Sequence, residues 1–116
     1  MTPTDRVRLE HMLESALAAM RDLGGMSAEQ LRASPAVARS IIRCLEIVGE
    51  AAAQVSPETR ASADHVPRAD VVAMRNRLVH AYWDVDLDIV WDTVTMHLPD
   101  LQRQLPGLLE DEGEGP

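Results

Sequence analysis

Apolar residues recur at steps of three and four along most of this chain, and that spacing limits the possible folds more than any other feature. Between Ser34-Pro35 and Ser56-Pro57 the apolar positions advance by four, four, three, four and three residues. These positions are Val37, Ile41, Leu45, Val48, Ala52 and Val55. An α-helix turns once in 3.6 residues, so these side chains share one face. No stretch alternates with period two for long enough to predict a strand, and the sequence predicts an all-α fold.

The first helices are predicted from their ends. Thr2-Pro3 is typical of an N-cap followed by proline at the first helical position, and Gly24-Gly25 is expected to end that helix. Its apolar stripe is predicted to consist of Leu9, Leu13, Ala16, Leu17 and Met20. Ser27 and Gln30 form a capping-box pattern, which predicts a short second helix.

The last helices are predicted in the same way. Pro67 begins one, and Asp86 is placed to cap the final one. The final stripe consists of Leu87, Val90, Trp91, Val94, Leu98, Leu101 and Leu105. Pro99 lies within that stripe and should kink the helix, because proline removes a backbone hydrogen bond. We therefore predict an up-and-down bundle of four or five helices over residues 1–108, followed by an acidic, disordered tail over residues 109–116.

The chain is acidic, with a formal net charge of −8. Part of this charge lies in the tail, at Glu110, Asp111, Glu112 and Glu114. Phosphate contacts need basic surface, so the balance argues against a general nucleic-acid-binding protein. All 11 basic residues are arginine. Arginine binds phosphate well, but a biased genome would give the same imbalance, and we favour that explanation.

Other features of the sequence bear on where in the cell the protein is found and on its cysteine chemistry. The single cysteine, Cys44, excludes an internal disulfide, and its place in a helical pattern predicts a buried small side chain. No apolar run approaches the length of a membrane span, and the first residues lack the hydrophobic region of a signal peptide. We expect a cytoplasmic protein with no membrane partner.

The long helix after Ser34 also carries a polar stripe. Its members are Arg39, Arg43, Glu46 and Glu50. One interpretation is a solvated face with ion pairs one turn apart, which contribute little to stability. The other is a face at a dimer interface or beside an active site. The sequence alone favours the solvated face.

Few residues could carry catalysis. The sequence has no glycine-rich phosphate loop, no H-E-x-x-H zinc motif and no nucleophile elbow. His11, His65 and His97 have no obvious chemical neighbours, and each is interpreted as a surface or packing residue.

His80 differs because of its surroundings, the segment 74–82 with the sequence MRNRLVHAY. In a helix Asn76 and His80 lie on one face, one turn apart. Arg75 lies five residues before His80, so the two converge only at a frayed helix end or across a symmetric dimer. Taken alone, the segment fits a helix-end cap and a catalytic pair about equally well.

This segment resembles the R-x4-H-x-Y signature of HEPN ribonuclease toxins of the HepT type, with Arg75, His80 and Tyr82 at the signature positions. Residues 43–51 are similar to the upstream helix of that family, and residues 84–99 are similar to its final helix. The resemblance covers nearly the whole chain apart from the tail. Three similar segments in the same order along the chain are far more specific evidence for this family than R-x4-H alone.

The resemblance implies an RNA endonuclease that needs no metal and no cofactor. Such an enzyme uses the 2′-hydroxyl of the substrate as nucleophile and leaves a cyclic phosphate end. His80 would act as general acid or base, a role that typically contributes ~10²–10⁴-fold to the rate. Arg75 would hold the scissile phosphate and neutralise developing charge. Asn76 would orient the phosphate or the imidazole.

The resemblance also implies two protein partners. Members of the family are homodimers whose two motifs face one cleft, and paired arginines can make such a cleft positive on an acidic protein. A minimal nucleotidyltransferase acts as the antitoxin and attaches AMP to the tyrosine of the signature, here Tyr82. The AMP group adds bulk and negative charge beside the phosphate site and should block RNA.

Two other functions stay open. A non-catalytic HEPN adaptor would only bind a nucleotidyltransferase or a nucleotide, and the intact pair of Arg75 and His80 argues against it. A helical bundle with an unrelated partner fits the acidic charge but leaves the motif unexplained.

Overall fold

The computed structural model describes residues 2–62 and 87–113. The first stretch contains α1 (Pro3–Leu23), α2 (Ala28–Arg32), α3 (Pro35–Gln54) and α4 (Pro57–Ser62). The second contains α5 (Leu87–Asp92), a π-helical turn (Thr93–His97) and α6 (Leu98–Gly113). None of the residues in these two stretches is in a strand, and the predicted all-α fold is confirmed. None of these helices is long and apolar enough to cross a membrane.

Local side-chain chemistry sets the helix ends as predicted. The Thr2 hydroxyl caps α1 by accepting a hydrogen bond from the Asp5 N–H at 3.0 Å. Gly24 ends α1 with a φ of +56°, a conformation that glycine adopts without steric cost. Ser27 and Gln30 form the reciprocal capping box of α2, with distances of 2.9 and 3.1 Å.

Helices α1 and α3 run antiparallel and form the largest packing interface of the described residues. At one end of the pair, the Ser40 hydroxyl donates to Asp22 at 2.6 Å. At the other end, the Arg8 guanidinium donates to the Gln54 carbonyl at 2.8 Å. These two contacts join the start of each helix to the end of the other.

The core confirms one predicted stripe and corrects another. In α3 the predicted positions are buried, except that Val37 is only partly covered. In α1 the prediction was wrong for Leu17, which is 36% exposed. The buried face of α1 consists of Leu9, Met12, Ala16, Ala19 and Leu23. The steps of three and four between these positions keep them on one seam, and Leu17 falls on its flank.

Helix α6 returns along α1. The Arg6 guanidinium donates to the Leu109 carbonyl at 3.0 Å, which joins the start of α1 to the far part of α6. Leu109 is buried, and the helix continues to Gly113. The division into a domain of residues 1–108 and a disordered tail of residues 109–116 stays a prediction, although Leu109 packs with the core.

A π-helical turn lies directly before Leu98 and Pro99, and the kink expected at Pro99 stays a prediction. Proline has no N–H to donate, and its ring crowds the carbonyl four residues earlier, which belongs to Thr95. In the wider turn the Leu98 N–H donates to the Thr93 carbonyl, five residues back. The Thr95 hydroxyl donates to the Trp91 carbonyl at 2.8 Å and so gives that oxygen a partner.

Candidate functional site

The predicted site residues lie in the stretch 63–86, outside the described residues. Arg75, Asn76, His80 and Tyr82 therefore keep their predicted roles as predictions. The structure describes the framework on both sides of that stretch and the neighbouring surface of α1 and α3.

On the upstream side, Asp5 joins the first turn of α1 to the start of α4. Asp5 is 1% exposed. Its carboxylate accepts a hydrogen bond from the Ser56 N–H at 3.0 Å, one from the Ser56 hydroxyl, and one from the Thr59 hydroxyl at 2.7 Å. A buried carboxylate is stable only where such donors replace water. The cluster of Asp5, Ser56 and Thr59 is called the upstream junction below.

These hydrogen bonds lower the pKa of Asp5 to about 2. The Ser56 hydroxyl is the largest cause; burial opposes it, and the Thr59 hydroxyl, the Ser56 N–H and the charge of Arg8 act with it. Asp5 is therefore ionised at neutral pH and acts as a fixed structural charge. It is unsuited to donate a proton there.

Sequence reasoning missed the upstream junction. Ser56 and Thr59 lie 51 and 54 residues away from Asp5 along the chain. The local signal was an acidic residue in the first turn of a helix, which is common because it complements the helix dipole. Nothing in the local sequence indicated that this carboxylate would be buried.

On the downstream side, α5 is held against the loop before α2 and against α2 itself. The Trp91 indole N–H donates to the Met26 carbonyl at 2.9 Å. Arg32 forms an ion pair with Asp88 at the surface, where their side chains are 50% and 61% exposed. These contacts form the downstream junction. The predicted cap of this helix, Asp86, lies outside the described residues.

The two junctions lie at opposite ends of α1. Asp5 is in the first turn of that helix, and Met26 follows its last residue, Leu23, after the Gly24 turn. A helix of 21 residues is about 30 Å long. The start of α4 and helix α5, which flank the stretch 63–86, are therefore held near opposite ends of α1.

A surface pocket of about 200 Å³ lies between α1 and α3, close to the upstream junction. Its lining consists of Arg8, His11, Ile47, Glu50, Ala51 and Gln54. Gln54 fixes the guanidinium of Arg8 through its carbonyl at 2.8 Å and its side-chain oxygen at 3.2 Å. His11 is exposed, as is His97, in agreement with their interpretation as surface residues. The pocket is smaller than the roughly 300–1,000 Å³ of most small-molecule sites.

Cys44 is partly buried and packs against the core. Burial raises the pKa of its thiol, so the unreactive protonated form dominates at neutral pH. The prediction of a small packing residue is confirmed, although burial is incomplete. Within residues 2–62 and 87–113, no three His, Cys, Asp or Glu side chains come together as candidate metal ligands.

The polar stripe of α3 is only partly solvated. Arg39 and Arg43 are exposed, whereas Glu46 and Glu50 are partly buried. Arg43 and Glu46 form an ion pair at 3.3 Å, one turn apart. The predicted ion pairing is therefore present, but half of the face is shielded from water.

The fold and the sequence define the class of the protein. The described part of the chain is an all-α bundle of the HEPN type. The family model described as "Ribonuclease HepT-like" matches residues 13–107. The chain belongs to the HepT-like ribonuclease family, and the resemblance found in the sequence is confirmed.

Curated relatives agree with this family. "Putative RNase TTE0752" of Caldanaerobacter subterraneus subsp. tengcongensis is 33% identical over 109 residues, which cover 94% of this chain and 97% of the relative. "Putative RNase MJ0125" of Methanocaldococcus jannaschii is 30% identical over 74% of each chain. "Probable ribonuclease HepT" of Thermococcus cleftensis is 35% identical over 60% of this chain and 63% of its own length. No solved structure matches the chain significantly.

Proposed function

We propose that this protein is a metal-independent RNA endonuclease that acts as the toxin of a toxin–antitoxin pair. The observation that carries the proposal is the family match over residues 13–107, because that range includes Arg75 and His80. The relatives named as RNases support the same reaction class.

The reaction needs one acid–base group and one cation at the phosphate. The 2′-oxygen of the RNA attacks phosphorus and loses its proton, and the bond from phosphorus to the 5′-oxygen breaks as that oxygen gains a proton. The products are a cyclic phosphate and a 5′-hydroxyl. His80 moves a proton, Arg75 neutralises the phosphate charge, and Asn76 orients one of these groups. In the proposed homodimer each subunit contributes one set to a shared cleft.

Cleavage of RNA by the purified, unmodified protein in the presence of EDTA tests this function. We expect Arg75→Ala and His80→Ala each to lower the rate by ~10²-fold or more, since each removes a group that acts on the transition state. Arg103→Ala and His97→Ala are matched controls, because both residues are exposed on the last helical region. Circular dichroism confirms that every variant is folded.

The outcomes separate the candidate functions. If both variants cleave RNA as fast as the unaltered protein, Arg75 and His80 are not the catalytic pair. If the unmodified protein cleaves no RNA and leaves no cyclic phosphate ends, the non-catalytic adaptor is the better explanation. If EDTA stops the cleavage, only the metal independence of the proposed ribonuclease is contradicted.

We further propose that a minimal nucleotidyltransferase neutralises the toxin by modifying Tyr82. The phenolic oxygen attacks the α-phosphorus of ATP, pyrophosphate leaves, and AMP stays on the side chain. RNA and ATP are both cytoplasmic, so the proposal places the protein there. Intact-mass measurement with and without the genomic neighbour tests this step. Mass gain of one AMP is expected, and Tyr82→Phe should abolish it; an unchanged mass contradicts the step.

A further inference from the structure

The outward side of α3 carries a charge pattern that is symmetric along the helix. The residues of this α3 charged face advance by three, four, three, four and three. They are Ala36, Arg39, Arg43, Glu46, Glu50 and Ala53. Both arginines and both alanines are exposed, and both glutamates are partly buried. The face therefore begins and ends on small residues, with two positive charges followed by two negative charges.

The pattern has a midpoint between Cys44 and Leu45. Arg43 and Glu46 lie equally far from it on either side. Arg39 and Glu50 are also equidistant from it, and so are the two alanines. A second copy of the helix turned end for end therefore places each arginine opposite a glutamate. A parallel copy in the same register places like charges opposite each other, which is unfavourable.

We propose that the α3 charged face is the surface through which two copies of this chain associate. The two α3 helices run antiparallel about a twofold axis at the midpoint of the pattern. Arg39 lies opposite the partner subunit's Glu50, and Arg43 lies opposite the partner subunit's Glu46. Such an interface is isologous, because each copy contributes the same surface. The inference rests on the homodimer of the proposed function and adds the surface that forms it.

The spacing of the face fits two packed helices. Alternating steps of three and four repeat every seven residues, which is the spacing of residues along the seam of a two-helix pair. Small side chains at Ala36 and Ala53 allow the backbones to approach at both ends of the seam. Helix α3 has 20 residues and contains all six positions of the pattern, so each position can pair with its counterpart in the second copy.

The charges on this face determine the relative orientation of the two chains more than the strength of their association. Arg43 is 64% exposed and Glu46 is 19% exposed, and the two already form an ion pair within one chain. In the dimer the two such pairs combine into a group of four charges around the twofold axis. Exposed ion pairs are weak singly and are screened by salt, so the association is expected to weaken as ionic strength rises.

Charge reversal of each half of the face tests this surface. The variant Arg39→Glu/Arg43→Glu carries four acidic residues on the face, and the variant Glu46→Arg/Glu50→Arg carries four basic residues. We expect each alone to dimerise at least about tenfold more weakly than the unaltered protein. An equimolar mixture should recover dimers that contain one chain of each kind. Sedimentation equilibrium and native mass spectrometry measure both results.

Controls separate the surface from folding. Arg103→Glu reverses a charge on α6 that is 69% exposed, and its dimerisation should be unchanged. Circular dichroism reports whether each variant is folded. Glu50 also interacts within its own chain, so the single substitution Arg39→Glu provides a second test that leaves Glu50 in place. That variant should also dimerise more weakly.

Three results would overturn the inference. If the double variants dimerise as strongly as the unaltered chain, the homodimer of the proposed function stands but forms through another surface. If folded variants are monomeric and their mixture stays monomeric, the charge matching is wrong. If the unaltered protein is a monomer at every concentration, the homodimer itself is wrong, whereas cleavage by that monomer would leave the proposed ribonuclease standing.

Discussion

The two junctions that border residues 63–86 are held by different kinds of contact. Upstream, the buried carboxylate of Asp5 accepts hydrogen bonds from the Ser56 N–H and from the Ser56 and Thr59 hydroxyls. Downstream, a neutral hydrogen bond from Trp91 and an exposed ion pair between Arg32 and Asp88 hold α5. Polar contacts affect stability according to how completely their groups are removed from water. The upstream junction should therefore depend more strongly on single substitutions and on pH.

The largest difference is expected at Asp5. Asp5→Ala removes the buried acceptor of three hydrogen bonds, from the Ser56 N–H and from the Ser56 and Thr59 hydroxyls, which should lower the free energy of unfolding by about 3 kcal/mol. Urea denaturation measures this loss. Asp88→Ala is the matched control in the downstream junction, and its loss should stay within about 0.5 kcal/mol. Equal losses at the two sites would show that burial does not distinguish the junctions.

Acid should weaken the upstream junction selectively. The folded pKa of Asp5, about 2, lies below its ordinary value of 3.8, so the ionised carboxylate stabilises the folded state. That contribution is fully present above the ordinary value and is lost as the pH falls through about 2. The stability difference between the unaltered chain and Asp5→Ala should therefore shrink as the pH is lowered from 5 to about 2. A constant difference across that range contradicts an ionised Asp5.

A smaller effect is expected at Trp91. Trp91→Phe keeps most of the aromatic packing but removes the donor to the Met26 carbonyl, which should cost about 1 kcal/mol. Thermal or urea unfolding measures the change. The stability difference between the unaltered chain and Trp91→Phe should stay constant between pH 5 and about 2, because neither the indole nor the carbonyl titrates there. A loss as large as that of Asp5→Ala would reverse the ranking of the two junctions.

The smallest effect is expected at Arg32. Arg32→Ala removes an exposed ion pair with Asp88 and should change the free energy of unfolding by less than about 1 kcal/mol. High salt should reduce even this difference, since it screens exposed charges. Denaturant titrations at low and high salt give both values. A large effect that salt leaves unchanged would mean that Arg32 stabilises α5 by packing.

The helix ends and the core face of α3 could be predicted because their causes are local. Thr2, Ser27 and Gln30 act on backbone groups within three residues, and the apolar stripe of α3 is regular over five turns. In α1 apolar residues are so frequent that two neighbouring seams fit the helical period. The prediction assigned Leu17 to the buried seam. In the fold, Met12 and Ala19 lie on that seam and Leu17 is exposed.

The candidate site was predicted by resemblance, whereas the contacts that form the two junctions were not predicted. The R-x4-H-x-Y pattern led to the family that the comparison then confirmed. Asp5 and its two partners meet only when α1 and α3 pair, and a single sequence contains no record of such distant contacts. Pro99 signalled an irregular helix, but the choice of a π-helical turn depends on the register that packing imposes on both sides.

The π-helical turn, Thr93–His97, sets the rotation of α5 about the helix axis relative to α6. The wide turn absorbs one residue more than a regular helix would use for the same rotation. If these five residues formed regular α-helix instead, α5 would rotate by about 100° relative to α6. The indole of Trp91 would then face away from the Met26 carbonyl, and the hydrogen bond of the downstream junction would be lost. The wide turn therefore keeps Val90 of α5 and Leu98 of α6 both buried in the core, although they are eight residues apart.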